Sequence, residues 1–286
     1  MKNEGKRISR RPHILQHVIL LVLAVIWLIP IVWLVLNSFS TSNSPNISRF
    51  FPQAFTLDQY RKLLSAPDAA NQFPTWFKNT FIIAIANCLI STVFVLTVAY
   101  AMSRMRFHGR KGLMNVGMIL NLFPGALTMV AIYFILKTLG GTNTHWGLIL
   151  VYAGGSGLGY LIAKGFFDTI PKDLSEAAKI DGATESMTFF RVILPLSKPI
   201  IVYTVISAFL APWMDFMMAK LMLNSGIATD WTVAIGLYGM LDRSRRAYYF
   251  GQFCAGGVLV SIPISILFVI MQKFYVEGIT GGATKG

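Results

Sequence analysis

The sequence predicts an all-α polytopic membrane protein of six transmembrane helices, with a helix-turn-helix at one membrane face. Three observations predict it. Of 286 residues, 55% are hydrophobic and only 13% charged, and the mean hydropathy is +0.60, beyond what a soluble domain of this length tolerates. The apolar residues gather in stretches of about 20, the length a helix needs to cross hydrocarbon. Lys and Arg fall between these stretches rather than on one surface.

Residues 1–12 form a basic tail. The first stretch, His13 to Leu36, follows it as a signal peptide would, but its apolar run outlasts a signal core and Asn37 to Asn43 offers no A-x-A cleavage site. It is expected to remain as an anchor. The others are Thr80 to Met102, Gly112 to Leu136, Trp146 to Phe167, Ile200 to Leu223 and Phe250 to Met271, so a six-helix domain spans 13–272 and a tail 273–286 follows. A cytoplasmic N-terminus puts 16 of the 25 Lys and Arg inside and 8 outside, with Lys220 near a helix end. Both termini are therefore expected in the cytoplasm. The net charge of +13 is a topology signal and not a nucleic-acid footprint, since no basic face interleaved with aromatics occurs.

Two loops are too long for turns. In the external one, Asn37 to Asn79, a short helix starting near Thr56 and Asp58 places Leu57, Tyr60, Leu63 and Leu64 on one face, for packing on the bundle or for an outside partner. The match of Asn46-Ile47-Ser48 to a glycosylation sequon is too short to carry weight.

The internal loop, 168–199, is the informative one. From Pro171 the chain reads as a short helix with Asp173 and Glu176 near its positive end and Gly182 where it must leave. Thr184 then caps a second helix through Met187, Phe189, Phe190, Val192 and Ile193, ended by Pro195 and Pro199. Ala177 and Ala178 flatten one side of the first helix, and Glu176, Lys179 and Asp181 could make charge-assisted contacts around it. Docking in a partner's cleft and folding against the bundle's own inner face are both open on these grounds.

Glu176-Ala177-Ala178, Asp181-Gly182-Ala183 and Ile193-Leu194-Pro195-Leu196 together resemble the coupling-loop signature of permease subunits of binding-protein-dependent ABC importers. The likeness extends over Asn79-Thr80, Phe123-Pro124-Gly125, Asn143-Thr144-His145, Tyr152-Ala153-Gly154-Gly155 and the closing Gly278 to Gly286, which look like carbohydrate permeases and within these the maltose/maltodextrin branch. Pro212-Trp213-Met214-Asp215 departs from that branch, which bears on the sugar. The resemblance implies a bacterial inner-membrane location, a second permease subunit, two ATP-binding subunits and an extracytoplasmic sugar-binding protein. It implies that Glu176, Ala177, Ala178, Asp181, Gly182 and Phe189 contact the ATPase.

The residues fit a chain that is no enzyme by itself. No G-x-x-x-x-G-K-[ST] is present, so ATP and Mg would be used by partner subunits, with no cofactor held here. His13, His17, His108 and His145 are scattered, and Cys88 and Cys254 lie in apolar stretches as small hydrophobes. Asp215, an acid inside the fifth stretch, is a candidate for the substrate path. Trp213 beside it could cover a sugar ring while the carboxylate accepts hydroxyls; pairing of Asp215 with Lys220 or a neighbouring helix is the plainer alternative. Asn121, with Asn87, Asn115 and Thr128, is a further pore-lining candidate, although helix-to-helix bonding explains such amides as well. A permease for another solute, such as a polyol phosphate, and a self-sufficient secondary transporter are the competing readings; the latter lacks in-membrane ion pairs and a clear internal repeat.

Overall fold

A computed structural model describes residues 14–43, 50–65 and 71–283; the predicted basic tail and the sequon lie outside the described residues. Among these residues there is no β-strand, only one isolated bridge between Ser40 and Phe55.

The helices follow in order. α1 (Ile14–Ser38) is apolar on every side, as a helix facing lipid must be, and packs chiefly along the last helix. α2 (Asp58–Ser65) is the short external helix, which buries Leu63 fully and holds Tyr60 to Ser38 through a 2.7 Å hydroxyl contact. The predicted apolar face therefore packs on the bundle, although Leu57 and Leu64 stay exposed. α3 (Phe73–Arg104) has 32 residues, about 48 Å of helix, and so outlasts the hydrocarbon.

The third predicted span is not one straight helix. α4 (Arg110–Asn121) and α5 (Gly125–Thr138) meet at 107°, because Pro124 has no N–H to continue the ladder and stands at the start of α5. α6 (His145–Gly155) and α7 (Tyr160–Thr169) form one crossing with a single tight turn, Ser156–Gly159, in its glycine run. α8 (Lys172–Ile180) and α9 (Glu185–Thr188) make the helix-turn-helix; a widened π turn, Phe189–Ile193, and α10 (Leu194–Leu196) lead to an 87° bend.

α11 (Lys198–Met214) ends earlier than predicted. Asp215 is extended (φ −86°, ψ 116°), and α12 (Met217–Met222) is a separate helix, so the expected stretch to Leu223 is broken. α13 (Val233–Met240), unforeseen in the sequence, buries Val233, Ile235 and Met240. α14 (Arg246–Ala283) begins before Phe250 and carries helix into the predicted tail. Among the described residues four helices are long and apolar enough to cross a membrane by themselves, and up to six crossings result if each bent pair counts as one.

α3 is the central post, packed against α6, α7, α11 and α13. At its Arg104 end, Val95, Leu96, Ala99 and Tyr100 join Phe167, Phe189 and Ile193 in one core. At its Trp76 end, Phe73, Trp76 and Ala84 join Leu63, Val233 and Met240 in another.

Candidate functional site

Local chemistry shapes the helix-turn-helix. Gly182 takes φ +84°, a left-handed conformation open to glycine. Its N–H donates to Lys179 O (3.0 Å) and that of Ala183 to Ala178 O (2.9 Å), the paired bonds of a Schellman stop. Two residues on, the Thr184 hydroxyl accepts the Met187 N–H at 3.2 Å and starts α9.

The two helices of this loop face differently. On α8 and its stop, Glu176, Ala177, Asp181 and Gly182 are exposed and Ala178 is half-buried. Phe189 is not on that surface. It is 6% exposed, its ring 4.9 Å from that of Tyr100 in the α3 core, whereas the resemblance implied a contact with the ATPase. The most exposed large apolar groups of the loop are instead Ile180, at 86%, and Phe190, at 62%. Phe190 was read from the sequence only as part of the second helix and Ile180 was not named, since an apolar residue in an amphipathic helix reads as buried; an isoleucine immediately before an acid–glycine stop was the available signal.

Polar links fasten this loop to α3. The Glu185 carboxylate accepts from the Tyr100 hydroxyl at 2.8 Å and pairs with Lys179 on α8. The adjacent Lys179 ammonium holds the Glu185 carboxyl below the usual range; burial pushes it up, less strongly, and the Tyr100 hydrogen bond again lowers it. Ser103 donates to Asp168 at 2.6 Å, and Asp168 pairs with Lys164. The Arg104 guanidinium donates to the carbonyls of Phe167 and Ile170, both at 2.6 Å, satisfying the end of α7. These bonds join α8 and α9 to α3, and α3 to the end of α7.

The second candidate region is a cavity of about 460 Å³ in the bundle, walled by α3, α6, α7 and α11. Asp215 lines it. Its carboxylate accepts from Tyr152 Oη (2.7 Å) and from the N–H groups of Met218 and Ala219 (both 3.1 Å), so it caps α12 across the break in the fifth span. Lys220 lies elsewhere, its Nζ 4.9 Å over the Trp231 ring. Trp213 is not beside the carboxylate in the cavity: it is 5% exposed among Phe77, Phe81 and Phe209. The rings that line the cavity are Tyr152 and Tyr203, with hydroxyls of Ser156, Thr204 and Ser207 near them. Asn87 lines it too, but its amide donates to Ala208 O (2.7 Å) and accepts from Ser91 Oγ (2.7 Å), the helix-to-helix role. Asn115 and Thr128 are exposed away from it; the side chain of Asn121 lies outside the described residues.

The motifs around the second and fourth spans meet at the opposite end. Trp76 Nε1 donates to Ala228 O (2.7 Å), Asn79 donates to Thr229 O (2.7 Å) and Trp231 O (3.0 Å), and the Val233 N–H donates to Thr80 Oγ1 (2.8 Å). Asn143 N–H reaches Met222 O (2.8 Å), and a His145 ring nitrogen sits 2.9 Å from Asp230 O. These residues hold the segment between α12 and α13 against α3 and α6.

A loop of this build at one end, joined to a bent-helix bundle around α3, is matched as a whole by known proteins. Residues 96–281 match the family of binding-protein-dependent transport system inner membrane components. The chain belongs to this family. Among relatives of the permease, the galactooligosaccharides transport system permease protein GanQ of Bacillus subtilis is 35% identical over 272 residues, 95% of each chain. The maltodextrin transport system permease protein MdxG of the same organism is 31% identical over 274 residues, 96% of each chain. In fold, the permease resembles a chain of a bacterial ABC transporter involved in import of the acidic polysaccharide alginate, with TM-score 0.77 at 21% identity, covering 96% of this chain and 100% of that one. The reading as a self-sufficient secondary transporter is thereby set aside.

Proposed function

We propose that this permease conducts a neutral oligosaccharide of the maltodextrin or galactooligosaccharide kind, driven by ATP hydrolysis on two separate subunits. In this reading it pairs with a second permease subunit and receives cargo from an extracytoplasmic sugar-binding protein, with both termini in the cytoplasm and ATP and Mg bound by its partners. The observation that carries the solute class is the polar part of the cavity lining: among mainly apolar residues such as Val95, Ile132, Val151 and Ile162 it has hydroxyls, two tyrosines and one carboxylate, without a Lys, Arg or His among the described residues. A polyol phosphate would need a cation there, and an acidic sugar would be repelled by Asp215. Sugar hydroxyls, by contrast, can donate to Asp215 while a tyrosine ring covers an apolar sugar face.

The ATPase contact is assigned to the exposed side of α8 and its stop, with Glu176, Ala177, Asp181 and Gly182 joined by Ile180. A well-exposed isoleucine between small and charged residues has the character of an interface anchor. Co-purification of the complete importer from native membranes tests this. Wild type is expected to retain an ATP-hydrolysing subunit, and Glu176→Lys and Gly182→Pro, still inserted, to lose it; full retention in both would sink the assignment. Uptake of labelled maltodextrin and galactooligosaccharide then tests the solute: Asp215→Asn and Tyr203→Ala are expected to lower uptake with the assembly intact, and uptake unchanged in both would remove the cavity from the path.

A further inference from the structure

The Arg104 end of the bundle holds a second concavity, lined in part by Glu176 and the links described above, whose surplus cations the transport reading does not use. It is a cleft of about 690 Å³ between the end of α3, α7 and α8, and its walls are polar. Six cations line it (Arg104, Arg106, Arg110, Lys164, Lys172 and Lys179) against three acids, Asp168, Glu176 and Glu185. Two of those acids are already paired, with Lys164 and Lys179. Arg104 and Arg110 spend donors on backbone carbonyls, yet Arg104 Nε is buried without a partner. In the same wall, the Ser175 side chain is 7% exposed and its hydroxyl is also buried without a partner. Arg106 and Lys172 are exposed, and neither has a described partner. A concave site with surplus positive charge and unused donors calls for an anion with several acceptor oxygens.

The neighbours decide which anion. Met105 and Phe107, 36% and 40% exposed, alternate with Arg104 and Arg106, and Leu113, 54% exposed, follows on the first turns of α4. Exposed apolar side chains flanking the cleft's arginines in the chain suit an amphiphile better than a soluble ion. We propose that the cleft holds the phosphodiester headgroup of an anionic phospholipid, with its acyl chains along Met105, Phe107 and Leu113. Because the cleft is bounded by α3, α7 and α8, a lipid seated there also braces the links through which α8 moves the spans.

The test uses the complete importer, reconstituted in equimolar phosphatidylglycerol and phosphatidylcholine, extracted in detergent and stripped stepwise, with the retained phospholipid measured by mass spectrometry. Wild type is expected to be enriched in phosphatidylglycerol, and Arg106→Gln with Lys172→Gln to lose about fivefold of that enrichment per cation removed, the scale for a cation at an anionic surface. Arg106→Lys with Lys172→Arg should keep it, as should Arg243→Gln with Arg245→Gln at the opposite end. Equal loss in both charge-removal pairs, or in neither, overturns the proposal. Displacement of the bound lipid by excess inorganic phosphate would make this a soluble-anion site and overturn it too. So would departure of the ATPase subunits from the Arg106/Lys172 variant with lipid enrichment unchanged, which would give the cleft to a protein partner.

Discussion

At the Trp76 end of the bundle, the groups that join loops to spans are neutral: an indole, an amide and a hydroxyl bonded to backbone groups between Ala228 and Val233, beside the fully buried ring of Trp76. At the Arg104 end the equivalent joints are charged and partly exposed, with side chains about 40–45% accessible in the Lys179–Glu185 pair. The first kind of joint keeps its strength in salt and has one geometry. The second is weak as a bond, about 0.2–1 kcal/mol for an exposed pair, and can be remade in another arrangement. The stiff end is therefore built to hold and the charged end to move.

The largest expected effect would break the contrast at an apolar anchor of the charged end. Phe189→Ala removes the ring that packs on Tyr100, and a loss of about 3–5 kcal/mol is expected, read as a lowered thermal unfolding midpoint of the complete importer. A midpoint close to wild type would mean that the polar links alone hold the loop. At the stiff end, Gly236→Ala would set a Cβ 2.0 Å from the Trp76 ring. Overpacking of that kind should cost about 1–3 kcal/mol while leaving the ATPase subunits bound, measured by calorimetry and co-purification on one sample.

Smaller effects sharpen the comparison. Gly182→Ala must place a side chain at φ +84°, so about 1–2 kcal/mol of strain is expected, confined to faster amide exchange in α8. Glu185→Gln should lower transport more than ATP hydrolysis, by cutting the link between α8 and α3 without disturbing assembly; equal losses of both would argue against a transmitting role. The smallest effect is on pH. The Glu185 carboxyl is held below its usual range in the folded state, so its contribution is present above the ordinary Glu range and is lost as pH falls through that range to the lowered value. Exchange protection of α8 should fall accordingly in wild type and not in Glu185→Gln.

Gly182 and Thr184 were legible because a helix stop and a helix cap are local: a left-handed glycine and a hydroxyl three residues from an N–H need no distant partner. Pro124 has an equally local cause for its break, the missing N–H, although nothing local sets how sharp the bend is. Asp215 was legible as an acid out of place among apolar residues, whereas its partner was not: Tyr152 lies 63 positions away, and adjacency in the chain pointed to Trp213, which the turn of α11 sends into the Phe77 and Phe209 cluster instead.

By itself, then, the sequence determined the membrane class, the apolar stretches and the punctuation of the loop, since these follow from transfer of side chains out of water and from backbone conformations open to single residues. The tertiary structure decided which face each helix turns inward. It buried Phe189 and left Ile180 exposed on the same amphipathic loop, and it gathered cations from α3, α4, α7 and α8 into one cleft. Those outcomes depend on contacts between segments far apart in the chain, and no local period encodes them.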